Sequence, residues 1–180
     1  SIKSDTAKVS IVKNSGYIAN KDYPTTFSYT GSSITQPTKD NFNTNSDGIM
    51  SFSWYKGDST DEGNKLNLTP AEAGIYTLRI DVSETSNVAA LMDTVLVTIG
   101  KNEQNDISIN KKKKKKYGDD DFELTISGGS GTGAVVFSVP NDNDVLEING
   151  NIARILGTGE VVITATKEGD NNYNSKSTTL

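Results

Sequence analysis

Histidine and cysteine are both missing from the 180 residues. Without histidine the chain lacks the commonest general base and the commonest zinc ligand, so triad and zinc-hydrolase chemistry fall away. Without cysteine no disulfide supports the fold, and thiols say nothing about the redox character of the compartment. No apolar run approaches the roughly 20 residues that a membrane-spanning helix needs, so no membrane insertion is expected. Helical periodicity is also lacking; only Asn87 to Asp93 admits a short helical turn. The chain begins at Ser1 with neither methionine nor a signal peptide, and it reads as an excised or processed piece of a longer protein.

What is present is a polar, strand-forming chain. Hydrophobic residues make up 33%, which at this length predicts two lean cores rather than one thick one. The clearest strand is Ala73 to Val82: Tyr76, Leu78, Ile80 and Val82 point one way, and Thr77, Arg79 and Asp81 the other. That is the two-residue period of a strand with one face buried. Met50, Phe52 and Trp54 alternate with Ser51 and Ser53 in a second strand. Lys8 to Val12 reads as an opening strand, Phe27 and Tyr29 mark another, and Leu66 with Leu68 forms a short one. Val95, Val97 and Ile99 share a face in the strand that closes the first half. Between Ser32 and Asp47 there is almost nothing apolar, which predicts a long exposed loop.

The second half repeats the first. At an offset of 85, Gly48 to Trp54 lies over Gly133 to Val139, Gly74 over Gly159, Leu78 over Ile163, Ile80 over Ala165 and Asn87 over Asn172. Farther upstream the offset becomes 97, pairing Phe27 with Leu124 and Gly31 with Gly128. The difference predicts a loop insertion at 32–47 in the first half. The boundary falls at Gly100 to Asn105, giving domains 1–103 and 104–180. Leu180 lies over Val95, so the second domain is expected to stop part-way through its last strand, and either the parent chain continues or another chain completes the sheet, since an unfinished edge invites pairing.

Glu72-Ala73-Gly74-Ile75-Tyr76-Thr77-Leu78 resembles the penultimate strand of immunoglobulin-like sandwiches, with Leu78 where antibody domains carry cysteine. The resemblance implies that the Tyr76 hydroxyl bonds back to the chain just upstream and that Trp54 lies at the core centre. Tyr117-Gly118-Asp119, Phe122 to Thr125, the Gly128 to Gly133 run, Gly157-Thr158-Gly159, Ile163 to Lys167 and Gly169-Asp170-Asn171-Asn172-Tyr173 together resemble the bacterial Ig-like repeats found in tandem on surface proteins. Thr85-Ser86-Asn87-Val88 keeps the asparagine of that closing motif and replaces its tyrosine. In the second half Val161 stands in the place of Tyr76, so that corner must be held differently. The expected fold class is therefore all-β, two tandem immunoglobulin-like β-sandwich domains.

The most conspicuous candidate contact is the run Lys111, Lys112, Lys113, Lys114, Lys115 and Lys116. Residues 104–180 hold 9 Lys+Arg and 11 Asp+Glu, net −2, which would be −8 without the run. Such a run is either a latch for an acidic polymer or a solvated strand end that keeps an edge from pairing. No aromatic is interleaved to stack bases, so no specific nucleic-acid binding is expected. Asp119 to Asp121, Asn141 to Asp144 and Asp170 offer oxygens of the kind calcium takes, but Asn/Asp loops are also ordinary turn chemistry, and no metal is assigned. The glycine run lacks the Gly-Lys-Ser/Thr of a phosphate cradle and precedes a strand. Lys13 and Asp93, with Glu72 as acid, are the one conceivable isopeptide set, which requires a buried lysine.

These readings converge on a protein that is not an enzyme and carries no cofactor. The resemblance implies a structural or adhesive repeat of a bacterial cell-surface protein, extracellular, acting as spacer or weak binding module. Its partners would be neighbouring Ig-like repeats of the same longer chain and a surface glycan or host protein, with self-assembly open. The alternative is an Ig-like component of a phage virion, in tail or capsid decoration, or of a polymerised surface fibre.

Overall fold

The computed structural model describes residues 8–110 and 114–180. The chain is all-β, in several sheets of which none closes. It divides into two compact units: the chain up to Phe27 with Gly31–Ile99, and Ser28–Thr30 with Gly100–Leu180.

In the first unit the strands are β1 (Ile18–Asn20), β2 (Thr26–Ser28), β3 (Phe42–Thr44), β4 (Met50–Lys56), β5 (Lys65–Leu66), β6 (Gly74–Val82) and β7 (Leu91–Gly100). Five of them form one sheet in the order β2-β7-β6-β4-β5, and β1 pairs with β3 in a second. Alternation along β6 sets its two faces, but the face expected to be wet is not wet throughout: Thr77, whose hydroxyl donates to the Gly57 carbonyl at 2.9 Å, and Tyr55 opposite it are both buried. Trp54 stands opposite Leu78, Phe52 opposite Ile80 and Met50 opposite Val82, and this face packs inward with Leu78 and Ile80 fully buried. On the other face Arg79 and Asp81 hold each other, Nη2 to Oδ1 at 2.8 Å. That hydrogen-bonded carboxylate raises the Arg79 guanidinium above its already high value.

Trp54 lies in the core, 4% exposed. The ring of Tyr23 stands 6.3 Å from it and 6.2 Å from Phe42, and Phe42 stands 5.6 Å from Phe52. Aromatic pairs at these separations add to the burial of their area. The Tyr23 hydroxyl donates to the Thr35 carbonyl at 2.6 Å, and burial pushes its pKa to about 12.

The structure corrects four further expectations here. Lys8 to Val12 forms no strand, and Val9, Ile11 and Val12 are exposed. The stretch 32–47 is not a uniform loop. It carries a single-turn 3-10 helix at Lys39–Asn41 and then β3, with Phe42 buried. Phe42, with buried Pro37 and half-buried Ile34, anchors a segment that is otherwise polar, which composition averaged over the stretch conceals. Leu68 is exposed and lies outside β5. No helical turn forms at 87–93: Thr85 Oγ1 accepts from the backbone N–H groups of Asn87 and Val88, and β7 starts at Leu91.

The second unit contains β8 (Ile107–Ile109), β9 (Phe122–Glu123), β10 (Ile126–Gly128), β11 (Val135–Ser138), β12 (Leu146–Asn149), β13 (Ile152–Ile155), β14 (Thr164–Lys167) and β15 (Lys176–Thr179). Its sheets are β11-β14-β15, β12-β13-β9 and the pair β10-β8. The core gathers Ile109, Leu124, Phe137, Leu146, Ala153, Ile163 and Ala165.

Strand registers coincide between the units. Phe52 opposite Ile80 becomes Phe137 opposite Ala165, and Ile80 opposite Asp93 becomes Ala165 opposite Thr178, each at an offset of 85. The hairpin Ile18↔Thr44 and Asn20↔Phe42 matches Ile107↔Gly128 and Ile109↔Ile126. β3 thus lies over β10 at an offset of 84 rather than 97. The length difference falls between β1 and β3, where residues 21–41 correspond to the shorter 110–125.

Candidate functional site

The lysine run leads into the one built turn of its neighbourhood. Lys116 N–H donates to Asp119 Oδ2 at 2.9 Å and Asp119 N–H to the Lys116 carbonyl at 3.1 Å. Gly118 sits in this turn at φ +91°, a conformation side chains resist. The reversal returns Phe122 beneath Lys115, whose Nζ lies 5.1 Å from the ring centroid. An ammonium over an aromatic face is attracted by its quadrupole. Lys114, Lys115 and Lys116 are exposed; Lys111, Lys112 and Lys113 lie outside the described residues.

Beside this turn opens a groove of about 380 Å³, walled by Phe122, Val145, Leu146 and Ile155, rimmed by Lys115, Lys116 and Tyr117 and floored by Gly157 to Gly159. Tyr117 is 69% exposed. Apolar walls beside exposed ammonium groups accommodate an anionic group carried on an apolar or ring-shaped body. Lys115, Lys116, Tyr117 and Thr158 bring the polar side chains of the lining. Sequence reasoning missed this groove because its walls come from three separated segments. The signal it left was the Tyr-Gly-Asp turn immediately after the run.

The remaining candidates resolve into structure. Asp170 Oδ2 accepts from Thr132 N–H at 2.6 Å and from the Thr132 hydroxyl at 3.2 Å. Its Oδ1 accepts from Asn172 and Tyr173 N–H, both at 2.9 Å. The Thr132 N–H bond first, then the other backbone bonds, hold this carboxyl down at about 2. Asp170 therefore ties the closing motif to the glycine-rich turn, where a Cβ on Gly131, at φ +68°, would collide with Oδ2. Thr85 caps the corresponding turn of the first unit, 85 residues earlier.

Asn143 closes its own turn, with Oδ1 accepting from Val145 and Leu146 N–H and Nδ2 donating to the Pro140 carbonyl. Among the described residues no three acidic side chains converge as a metal site. Lys13, conceivable as an isopeptide donor, instead pairs with Glu84 at 2.6 Å on the surface, and Asp93 accepts from Thr94 N–H.

One buried polar residue escaped the sequence altogether. Gln104, 3% exposed, donates Nε2 to the carbonyls of Glu168 and Asn174, both at 2.9 Å, and to that of Lys167 at 3.2 Å. Its Oε1 accepts from Ser130 N–H at 3.2 Å. It ties three segments of the second unit together, a structural role rather than a site.

Tyr76 donates its hydroxyl to the Glu72 carbonyl at 2.9 Å, the upstream bond expected of a corner tyrosine. Burial, then the nearby Glu72 charge, raises its pKa. In the second unit the equivalent corner has no hydroxyl; there Leu156 and Gly157 N–H groups both donate to the Val145 carbonyl. Compared with models of known protein families and with curated protein sequences, the chain matches none.

Proposed function

We propose that the chain is a tandem pair of immunoglobulin-like sandwiches acting as a non-catalytic spacer of a bacterial cell-surface protein, with the lysine-rimmed groove as a weak contact for anionic surface polymer or host protein. The observation that carries this reading is the coincidence of strand registers at one offset, down to paired residues, in two units of one chain. Repetition of a small all-β unit is how a chain gains reach without new chemistry.

The test is location. Antibodies raised against residues 1–180 are expected to label intact source cells, and external protease is expected to remove the label. Labelling that appears only after lysis overturns the reading.

A further inference from the structure

β11, in the interior of the second unit's sequence, is an edge strand: in the order β11-β14-β15 it has a neighbour on one side alone. In the first unit β5 lies on the corresponding side of β4, where Leu66 stands opposite Trp54. Among the described residues no strand lies there beside β11. Its sequence, Val135-Val136-Phe137-Ser138, sits in the uncharged stretch Gly133 to Pro140. Natural edges are commonly guarded by a lysine, an inward charge or a proline within the strand, and β11 has none of these.

The ladder shows which main-chain groups face outward. Glu168 N–H donates to the Ala134 carbonyl at 2.8 Å, which makes Ala134 and Glu168 a hydrogen-bonded pair in the register of β11 with β14. Bonded and non-bonded pairs alternate along an antiparallel ladder. Val136 and Ser138 therefore bond to Thr166 and Thr164, and the N–H and C=O groups of Val135 and Phe137 point away from β14, out over the edge. A groove of about 440 Å³ opens at this strand, walled by Leu124, Ile126, Val135 and Phe137, with the Gly150-Asn151 turn also in its lining. Val135 and Phe137 share the groove face of β11, and Val136 and Ser138 look to the other. Val135 and Val136 are 39% and 48% exposed.

We propose that β11 pairs antiparallel with β11 of a second copy about a two-fold axis, joining two three-stranded sheets into one. The outward groups set the register: Val135 opposite Phe137 of the second copy, Val136 opposite its own equivalent, and Phe137 opposite Val135. Each pair of Val135 with Phe137 exchanges both main-chain bonds, using groups that do not serve β14. Val135 of each copy is delivered beside Phe137 of the other, at the groove, and apolar surface is covered on both sides. On the opposite face the two Val136 side chains meet in the non-bonded pair on the axis, where side chains come closest. A foreign strand would satisfy the same main-chain groups, but a second copy closes its own uncharged edge and its own exposed valines in the same contact. The contact is isologous, so it stops at two chains.

The chain has no cysteine, so a single Val136→Cys substitution crosslinks only between copies, and on the axis the two sulfurs are within disulfide reach. Ser138→Cys is the control. It is exposed on the same face of the same strand and lies opposite Ala134 of the second copy, away from its own equivalent. Under mild oxidation the Val136→Cys dimer is expected to form at least about tenfold faster than the Ser138→Cys dimer, because paired sulfurs meet at a raised effective concentration. Equal rates overturn the proposal. In parallel, light scattering is expected to show the unmodified chain gaining mass with concentration and levelling at two chains. Val136→Lys, which sets two ammonium groups against each other, is expected to stay monomeric with unchanged circular dichroism. An unmodified chain that is monomeric at every concentration overturns the proposal and hands the edge to a strand from another protein. Growth past two chains, or a mass that Val136→Lys does not change, overturns it equally. None of these results bears on the cell-labelling test, so the two readings fail separately.

Discussion

Two side-chain groups carry much of the local order. The Tyr76 hydroxyl is buried with its one bond to Glu72, and Tyr76→Phe deletes it while keeping the ring. The expected loss is about 1 kcal/mol in denaturant unfolding, with the circular dichroism spectrum intact. A larger loss would mean that the ring itself moves. Asp170 behaves differently because it is charged. Its folded pKa of about 2 lies below the ordinary 3.8, so protonation favours the unfolded chain. Its contribution is full above about pH 4 and disappears as the pH falls towards 2. The stability gap between the wild-type chain and Asp170→Ala is therefore expected to narrow across that window. A gap that stays constant from pH 7 to 2 contradicts the assignment.

At the scale of elements, β3 shows how a short strand enters a sandwich from polar sequence. Its neighbours are Ser, Thr, Asn and Asp, yet Phe42 reaches Tyr23 and Phe52. Phe42→Ala is expected to cost roughly 3–5 kcal/mol, the price of emptying an aromatic site in a core. A change below about 0.5 kcal/mol would restore the reading of 32–47 as a free loop.

For the whole molecule, the two cores draw on separate residue sets. Trp54 is the single tryptophan and sits in the first. Leu124, 2% exposed, belongs to the second. Leu124→Ala is expected to lower the second unit's stability by roughly 2–5 kcal/mol, seen in far-ultraviolet circular dichroism. The Trp54 fluorescence midpoint is expected not to move. A shared shift would make the two units one cooperative body.

Alternation, turn residues and repetition, all local in sequence, were sufficient for the all-β class, for β4, β6 and β7, for the inward face of each, and for the Tyr76 bond. The pairing offset of 85 was legible for the same reason: inward residues in a ladder must recur with the ladder. Isolated residues whose partners lie far along the chain were not legible. Phe42, Tyr23 and Gln104 have no periodic neighbours to announce them, and only folding brings Thr35, Glu168 and Asn174 to their polar atoms. The groove was hidden likewise, because Phe122, Val145 and Ile155 meet only once three separate strands and loops converge. Lys8 to Val12 alternates as a strand does and yet forms none, because pairing is a property of two segments and local sequence shows only one of them.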